Sequence, residues 1–312
     1  MNEKIISKKN RVEMGVFLAV SFGTGIIFGI LIHFKIYSDI SMISKYMMLT
    51  PAAGVAIGKM ASSKQEKTIR SFYLVLIITL AAATCIMLVG ILGDVKDTVL
   101  TIALVGVLVI SSLILLSHGW ESCPELDLGR NGRKGAKYLL LYTVVSTIAI
   151  SVMQRGNLDY SKLFFSLLVL VPSFLFQGAL FLGEELGWRG YLQPFLQKRI
   201  GKRMGVIATG IIWELWHIPF FYAGKWDWRI TAIRFILVMA LSIFLGYVYM
   251  KTQNIWIPAM IHCAHNTIFS FMSVDITRFV VGNIILSCIW GMFLFTSEYH
   301  REAGEKHTIF RN

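Results

Sequence analysis

The chain is built from long apolar stretches that carry almost no charge, and no other feature restricts its fold as much. About ten stretches can be marked: Met14–Phe34, Met42–Met60, Phe72–Gly93, Val99–Ser117, Tyr138–Met153, Leu163–Leu182, Gly205–Tyr222, Ile230–Met250, Ile255–Met272 and Phe279–Phe295. Each is near the ~20 residues a helix needs to cross a bilayer. The runs are continuous, whereas the strands of a membrane barrel alternate in and out. A helix also satisfies its own backbone hydrogen bonds in lipid. The expected fold is therefore an all-α polytopic transmembrane bundle of about ten spans.

Composition agrees. Hydrophobic residues make up 55% of the 312 and charged residues 15%, where a soluble domain carries about a quarter charged. One soluble core cannot hide that much apolar side chain. We expect a single membrane domain, 1–312. Its front helices, 1–136, have no assigned role, and its rear part, 137–300, carries the chemistry. The connector His118–Lys137, with Gly119, Pro124, Gly129, Gly132 and Gly135, separates them.

The formal charge of +12 does not point to nucleic acid, because the basic residues lie in short connectors rather than on one face. They suit lipid head groups and orientation instead. Lys4, Lys8, Lys9 and Arg11 precede the first stretch, which is too long for a signal peptide and reads as a span. Lys64, Lys67 and Arg70, then Arg130, Arg133, Lys134 and Lys137, then Lys198, Arg199, Lys202 and Arg203 fill alternate connectors. Arg301, Lys306 and Arg311 close the chain, and Asp94, Asp97, Asp159, Asp227 and Asp275 mark the poorer connectors. The alternation places both termini in the cytoplasm and predicts an even number of spans. Cys85, Cys123, Cys263 and Cys288 show no paired spacing and read as small buried hydrophobes. Gly25-x-x-x-Gly29 is a weak helix-packing pattern.

Ionisable side chains inside spans are costly and point to function. They gather in the later stretches. Gly183-Glu184-Glu185-Leu186-Gly187-Trp188-Arg189-Gly190 puts two adjacent acids at the end of an apolar run. On an α-helix Arg189 follows Glu185 by four residues, the favourable order for an ion pair, which leaves Glu184 free for chemistry. His217 sits within the seventh stretch, with Glu214 three residues earlier as a candidate orienting group and Pro219 loosening the helix. His262 and Asn266 share a face of the ninth, and His265 shares part of it. Each group alone has an ordinary structural explanation: an interfacial cluster, a satisfied core histidine, or interhelical hydrogen bonds. Together they offer a base, an orienting group and oxyanion donors.

Glu184-Glu185-x-x-x-Arg189, then Trp213-x-x-x-His217, then His262-x-x-x-Asn266, resembles the CAAX protease and bacteriocin-processing family of intramembrane proteases, over roughly residues 160–275. That family is similar to the type II CAAX prenyl endopeptidase, which trims three residues after a prenylated cysteine. Trp213 stands where the family usually has Phe, and Glu214 where a small or apolar residue is commoner. The resemblance implies a helical core of about eight spans and an endopeptidase acting on a lipidated or membrane-associated peptide or protein. Bacteriocin maturation or self-immunity is also implied. On this basis Glu184 with His217 is expected to activate water, His262 and Asn266 to hold the oxyanion, and Glu185 to pair with Arg189. A zinc hydrolase with Glu184, His217 and His262 as ligands is implied as well. The rival classes are a non-catalytic immunity or scaffold protein and a proton-coupled transporter.

Overall fold

The computed structural model describes residues 3–37, 39–93, 95–121, 123–154, 158–225, 227–270 and 276–300. Arg301, Lys306, Arg311, Asp94, Asp275 and the last residues of the ninth expected span lie outside these. Among the described residues there is no strand. The helices are α1 (Glu3–His33), α2 (Ile40–Ser62), α3 (Lys67–Leu92), α4 (Asp97–His118), α5 (Gly132–Met153), α6 (Tyr160–Leu168) and α7 (Leu170–Glu185). A π-helix (Leu186–Leu192) follows. Then come α8 (Gln193–Ile200), α9 (Lys202–Trp216), α10 (Ile218–Ala223), α11 (Trp228–Thr252), α12 (Trp256–Ser270), α13 (Ile276–Gly291), a 3₁₀ turn and α14 (Ser297–His300).

Eight helical segments among the described residues are long and apolar enough to cross a membrane, or nine if the bent pair Tyr160–Leu168 and Leu170–Ile200 is one span. The protein is thus a polytopic integral membrane protein, as the about ten apolar stretches led us to expect. The ninth expected stretch, Ile255–Met272, contains α12, whose described part is Trp256–Ser270. The sixth is broken at Val169, with a bend of 58°. Pro172 cannot donate the hydrogen bond that would continue the helix there.

The chain forms two compact units that interleave along the sequence. Unit 1 comprises Met1–Asp127, Leu175–Trp188 and Trp216–Lys225. Its α1 and α2 pack closely because α2 presents glycines to α1. A Cβ on Gly54 would lie 3.1 Å from the Phe17 Cα, and one on Gly58 would lie 3.1 Å from the Glu13 Cα. At the end of this contact the buried Glu13 accepts from Lys59 (3.0 Å) and from the Ser62 hydroxyl (2.6 Å). Of the pair Gly25/Gly29, a Cβ on Gly25 would make ordinary contact with the Met47 Cε (3.4 Å) and the Pro219 Cγ (3.6 Å), and one on Gly29 meets nothing within 4 Å. On α4, the Ser112 hydroxyl accepts from the Ala179 N–H (2.9 Å) and donates to the Phe176 carbonyl (3.3 Å), fastening α7.

Unit 2 comprises Leu128–Phe174, Arg189–Leu215 and Trp226–Asn312. Its long α11 packs against α5, α12 and α13. Gly135 lets α5 approach α12, since a Cβ there would fall 2.4 Å from Ile257. The loop before α5 is tied down: the Asn254 amide donates to the Leu128 and Arg130 carbonyls (3.0 and 2.8 Å), and the Asn131 amide donates to the Thr252 carbonyl (2.8 Å). Of the four cysteines, Cys123 and Cys263 are buried as expected, but Cys85 and Cys288 are exposed; all four are free thiols.

Candidate active site

The motif residues divide between the two units. In unit 1, α7 ends on Glu184 and Glu185, both buried. Two glycines set this segment against α2. A Cβ on Gly183 would lie 2.3 Å from the Met48 carbonyl oxygen, and one on Gly187 would lie 2.3 Å from the Pro51 Cβ. Directly after the acids the backbone widens into the π-helix, whose hydrogen bonds run five residues apart rather than four. Isolated π turns are rare and concentrate at functional sites.

His217 lies at the break between α9 and α10 and is half-buried. Pro219 causes the break by removing the donor that would reach the Leu215 carbonyl. The imidazole stands edge-on to Trp216 (centroids 5.0 Å apart) and parallel to Phe221 (6.2 Å, 19° between planes). Trp216 in turn meets Trp188 edge-to-face at 5.7 Å.

In unit 2 the Arg189 guanidinium lies 4.1 Å over the Trp213 ring. Trp213 stands edge-on to His262 (5.4 Å, 78°). All three are buried, so the aromatic of the second motif links the arginine of the first to the histidine of the third. Glu214, a candidate for orienting His217, contacts the Arg234 guanidinium of α11 with both carboxylate oxygens. His265 lies on α12 with its Nδ1 2.5 Å from the Tyr142 hydroxyl. Tyr142 forms a three-ring cluster with Phe244 (6.0 Å) and Trp290 (5.0 Å), which also meet each other at 4.5 Å. Asn266 is exposed, while His262, one turn earlier, is buried.

Sequence reasoning passed over Arg234, Tyr142, Trp188 and Trp216. Arg234 did carry a signal, as a charge four residues inside an apolar stretch. The aromatic residues carried none against a background rich in rings. Among the described residues no three His, Cys, Asp or Glu side chains gather as ligands for a metal ion.

Residues 160–268 match the family model of type II CAAX prenyl endopeptidase Rce1-like proteins. The curated CAAX prenyl protease 2 of Methanococcus maripaludis is 45% identical over 42 residues, which is 14% of this chain and 16% of that protein. No solved structure matches the chain. The matched stretch runs from α6 into α12 and contains every motif residue, so in this region the chain is similar to the type II CAAX prenyl endopeptidases.

Proposed function

We propose that the protein is an intramembrane endopeptidase that hydrolyses a peptide bond in a lipidated, CAAX-type or otherwise membrane-associated substrate. The observation that carries this reading is the buried Glu184–Glu185 pair at the mouth of a π-helix, inside the stretch that matches the endopeptidase family. Two acids are expensive in an apolar bundle, and hydrolysis gives them a use.

In the proposed reaction Glu184, assisted by His217, takes a proton from water as its oxygen attacks the scissile carbonyl carbon. His262 and Asn266 donate to the oxyanion of the tetrahedral intermediate. The C–N bond then breaks, and the proton passes from Glu184 to the leaving amine. Glu185 and Arg189 brace the segment, and Glu214 and His265 hold the neighbouring helices. The basic connectors support cytoplasmic termini, which would present the site to substrates on that side. Peptides of the bacteriocin type are the alternative substrate class.

The test is cleavage of a farnesylated CAAX peptide, read by mass spectrometry, with the purified protein in liposomes. Glu184→Gln should lower kcat by about 10²–10⁴-fold, the usual worth of a general base. Near-normal turnover in this variant would remove Glu184 from the mechanism. Peptide binding that persists without cleavage in the native protein would favour a scaffold or immunity role. Zinc that co-purifies at one ion per chain, and whose removal abolishes cleavage, would replace the metal-free chemistry.

A further inference from the structure

The family match begins at residue 160, and α1 lies wholly outside it. Yet within unit 1 α1 touches both segments that carry motif residues. Phe17, fully buried, meets Trp188 edge-to-face at 5.6 Å, and Phe22 meets it at 6.5 Å. Trp188 is three residues beyond Glu185 and is itself fully buried. It packs on Trp216, whose indole N–H donates to the Ser21 carbonyl of α1 at 3.1 Å. Trp216 immediately precedes His217. At the other end of α1, the His33 Nδ1 lies 2.7 Å from the Tyr222 hydroxyl of α10, the helix that His217 introduces.

Edge-to-face rings at these separations have a preferred geometry as well as buried area. The Ser21 carbonyl adds a directional hold. Such a bond is available because a helical carbonyl can accept a second donor beside its own backbone N–H. It fixes one indole edge and, through the chain, the residue after it.

We infer that α1 is a positioning element for the proposed peptidase: Phe17, Phe22 and the Ser21 carbonyl lock the Trp188–Trp216 pair, and that pair sets the acid segment and His217. The inference rests on the peptidase reading for its catalytic consequence, but not for its structural one. Loss of the seat should change where His217 stands whether or not the chain cleaves the chosen peptide.

Two readouts test it in the full-length protein in liposomes. The first is modification of His217 by diethyl pyrocarbonate, mapped by mass spectrometry, with His118 as internal reference. Trp216→Phe keeps an aromatic ring and deletes the N–H donated to Ser21. It should raise the His217 rate by about threefold or more, with His118 unchanged, the scale expected for one lost hydrogen bond. An unchanged His217 rate overturns the inference.

The second is kinetics on the farnesylated CAAX peptide. Trp216→Phe should lower kcat by about tenfold while KM stays within about twofold. Trp188→Leu should do the same, with most of the loss recovered by Trp188→Phe. Phe28→Leu serves as control, because Phe28 is a buried α1 residue that packs on Tyr46 (5.2 Å), away from both tryptophans. A kcat loss as large in Phe28→Leu as in Trp216→Phe would reduce α1 to general stability and overturn the inference. If Trp216→Phe does not fold, Phe22→Leu, on the α1 side of the same cluster, carries the same expectations. Full turnover in Glu184→Gln, beside a raised His217 rate in Trp216→Phe, would sink the peptidase reading and leave the seat standing.

Discussion

Unit 1 surrounds its motif residues with rings and glycines; unit 2 surrounds its own with a stacked guanidinium, a tyrosine hydroxyl and a buried ion pair. In unit 1 the segment that carries the acids packs against α2 because Gly183 and Gly187 have no side chains to obstruct the approach, and His217 is flanked by Trp216 and Phe221. In unit 2 Glu214 meets Arg234, and His265 meets Tyr142. Packing of the first kind is broad and tolerant of ring-for-ring exchange. Contacts of the second kind depend on single atoms, and a buried charge left without its partner is penalised heavily.

The largest effect should therefore come from unit 2. Glu214 is buried, and the Arg234 side chain is about a quarter exposed (23%). Arg234→Leu removes the guanidinium that both carboxylate oxygens contact. We expect a loss of about 3 kcal/mol, the low end for breaking a buried pair because Arg234 keeps some solvent. Replacing both partners, as Glu214→Leu with Arg234→Met, should recover most of it. Thermal unfolding in detergent provides the measurement. If Arg234→Leu costs no more than a ring truncation in unit 1, the contrast between the units fails.

A smaller effect sharpens the same contrast. Tyr142→Phe keeps the ring contacts with Phe244 and Trp290 and deletes only the hydroxyl beside His265. The expected cost is about 1 kcal/mol, read as a lowered unfolding temperature. A neutral result would mean that ring stacking, as in unit 1, also carries this part of unit 2.

What the sequence revealed depended on whether the relevant physics is local. Continuous apolar blocks announced a helical membrane protein because span length and backbone satisfaction follow from the chain alone. Residues Leu163–Leu182 read as one span by composition, yet the helix breaks at Val169 with a bend of 58°, and hydropathy does not report where a helix bends. The acids, His217 and His262 stood out because ionisable groups are rare in such blocks. The π-helix after Glu185 did not, because its wide turn is inseparable from how Gly187 meets Pro51. Arg234 was visible as a charge but without a partner to give it meaning. Glu214 is three residues from His217 in sequence, yet it contacts Arg234, twenty residues on and in another helix.

The glycines show the same limit and give the finest test. Gly25-x-x-x-Gly29 and Gly54-x-x-x-Gly58 have identical spacing, so the pattern alone cannot say which pair faces a neighbour. In the structure it is Gly54 and Gly58 that let α1 and α2 approach, and Gly29 stands in open space. Gly29→Ala should thus be neutral or stabilising by up to about 1 kcal/mol, because alanine costs less backbone entropy within a helix. Gly58→Ala places a Cβ 3.1 Å from the Glu13 backbone and should cost about 1–3 kcal/mol as the helices separate. The two unfolding temperatures should therefore move in opposite directions. A drop for Gly29→Ala as large as that for Gly58→Ala would mean that the Gly29 face is covered in the folded membrane protein, and that close packing in unit 1 extends beyond the α1–α2 contact.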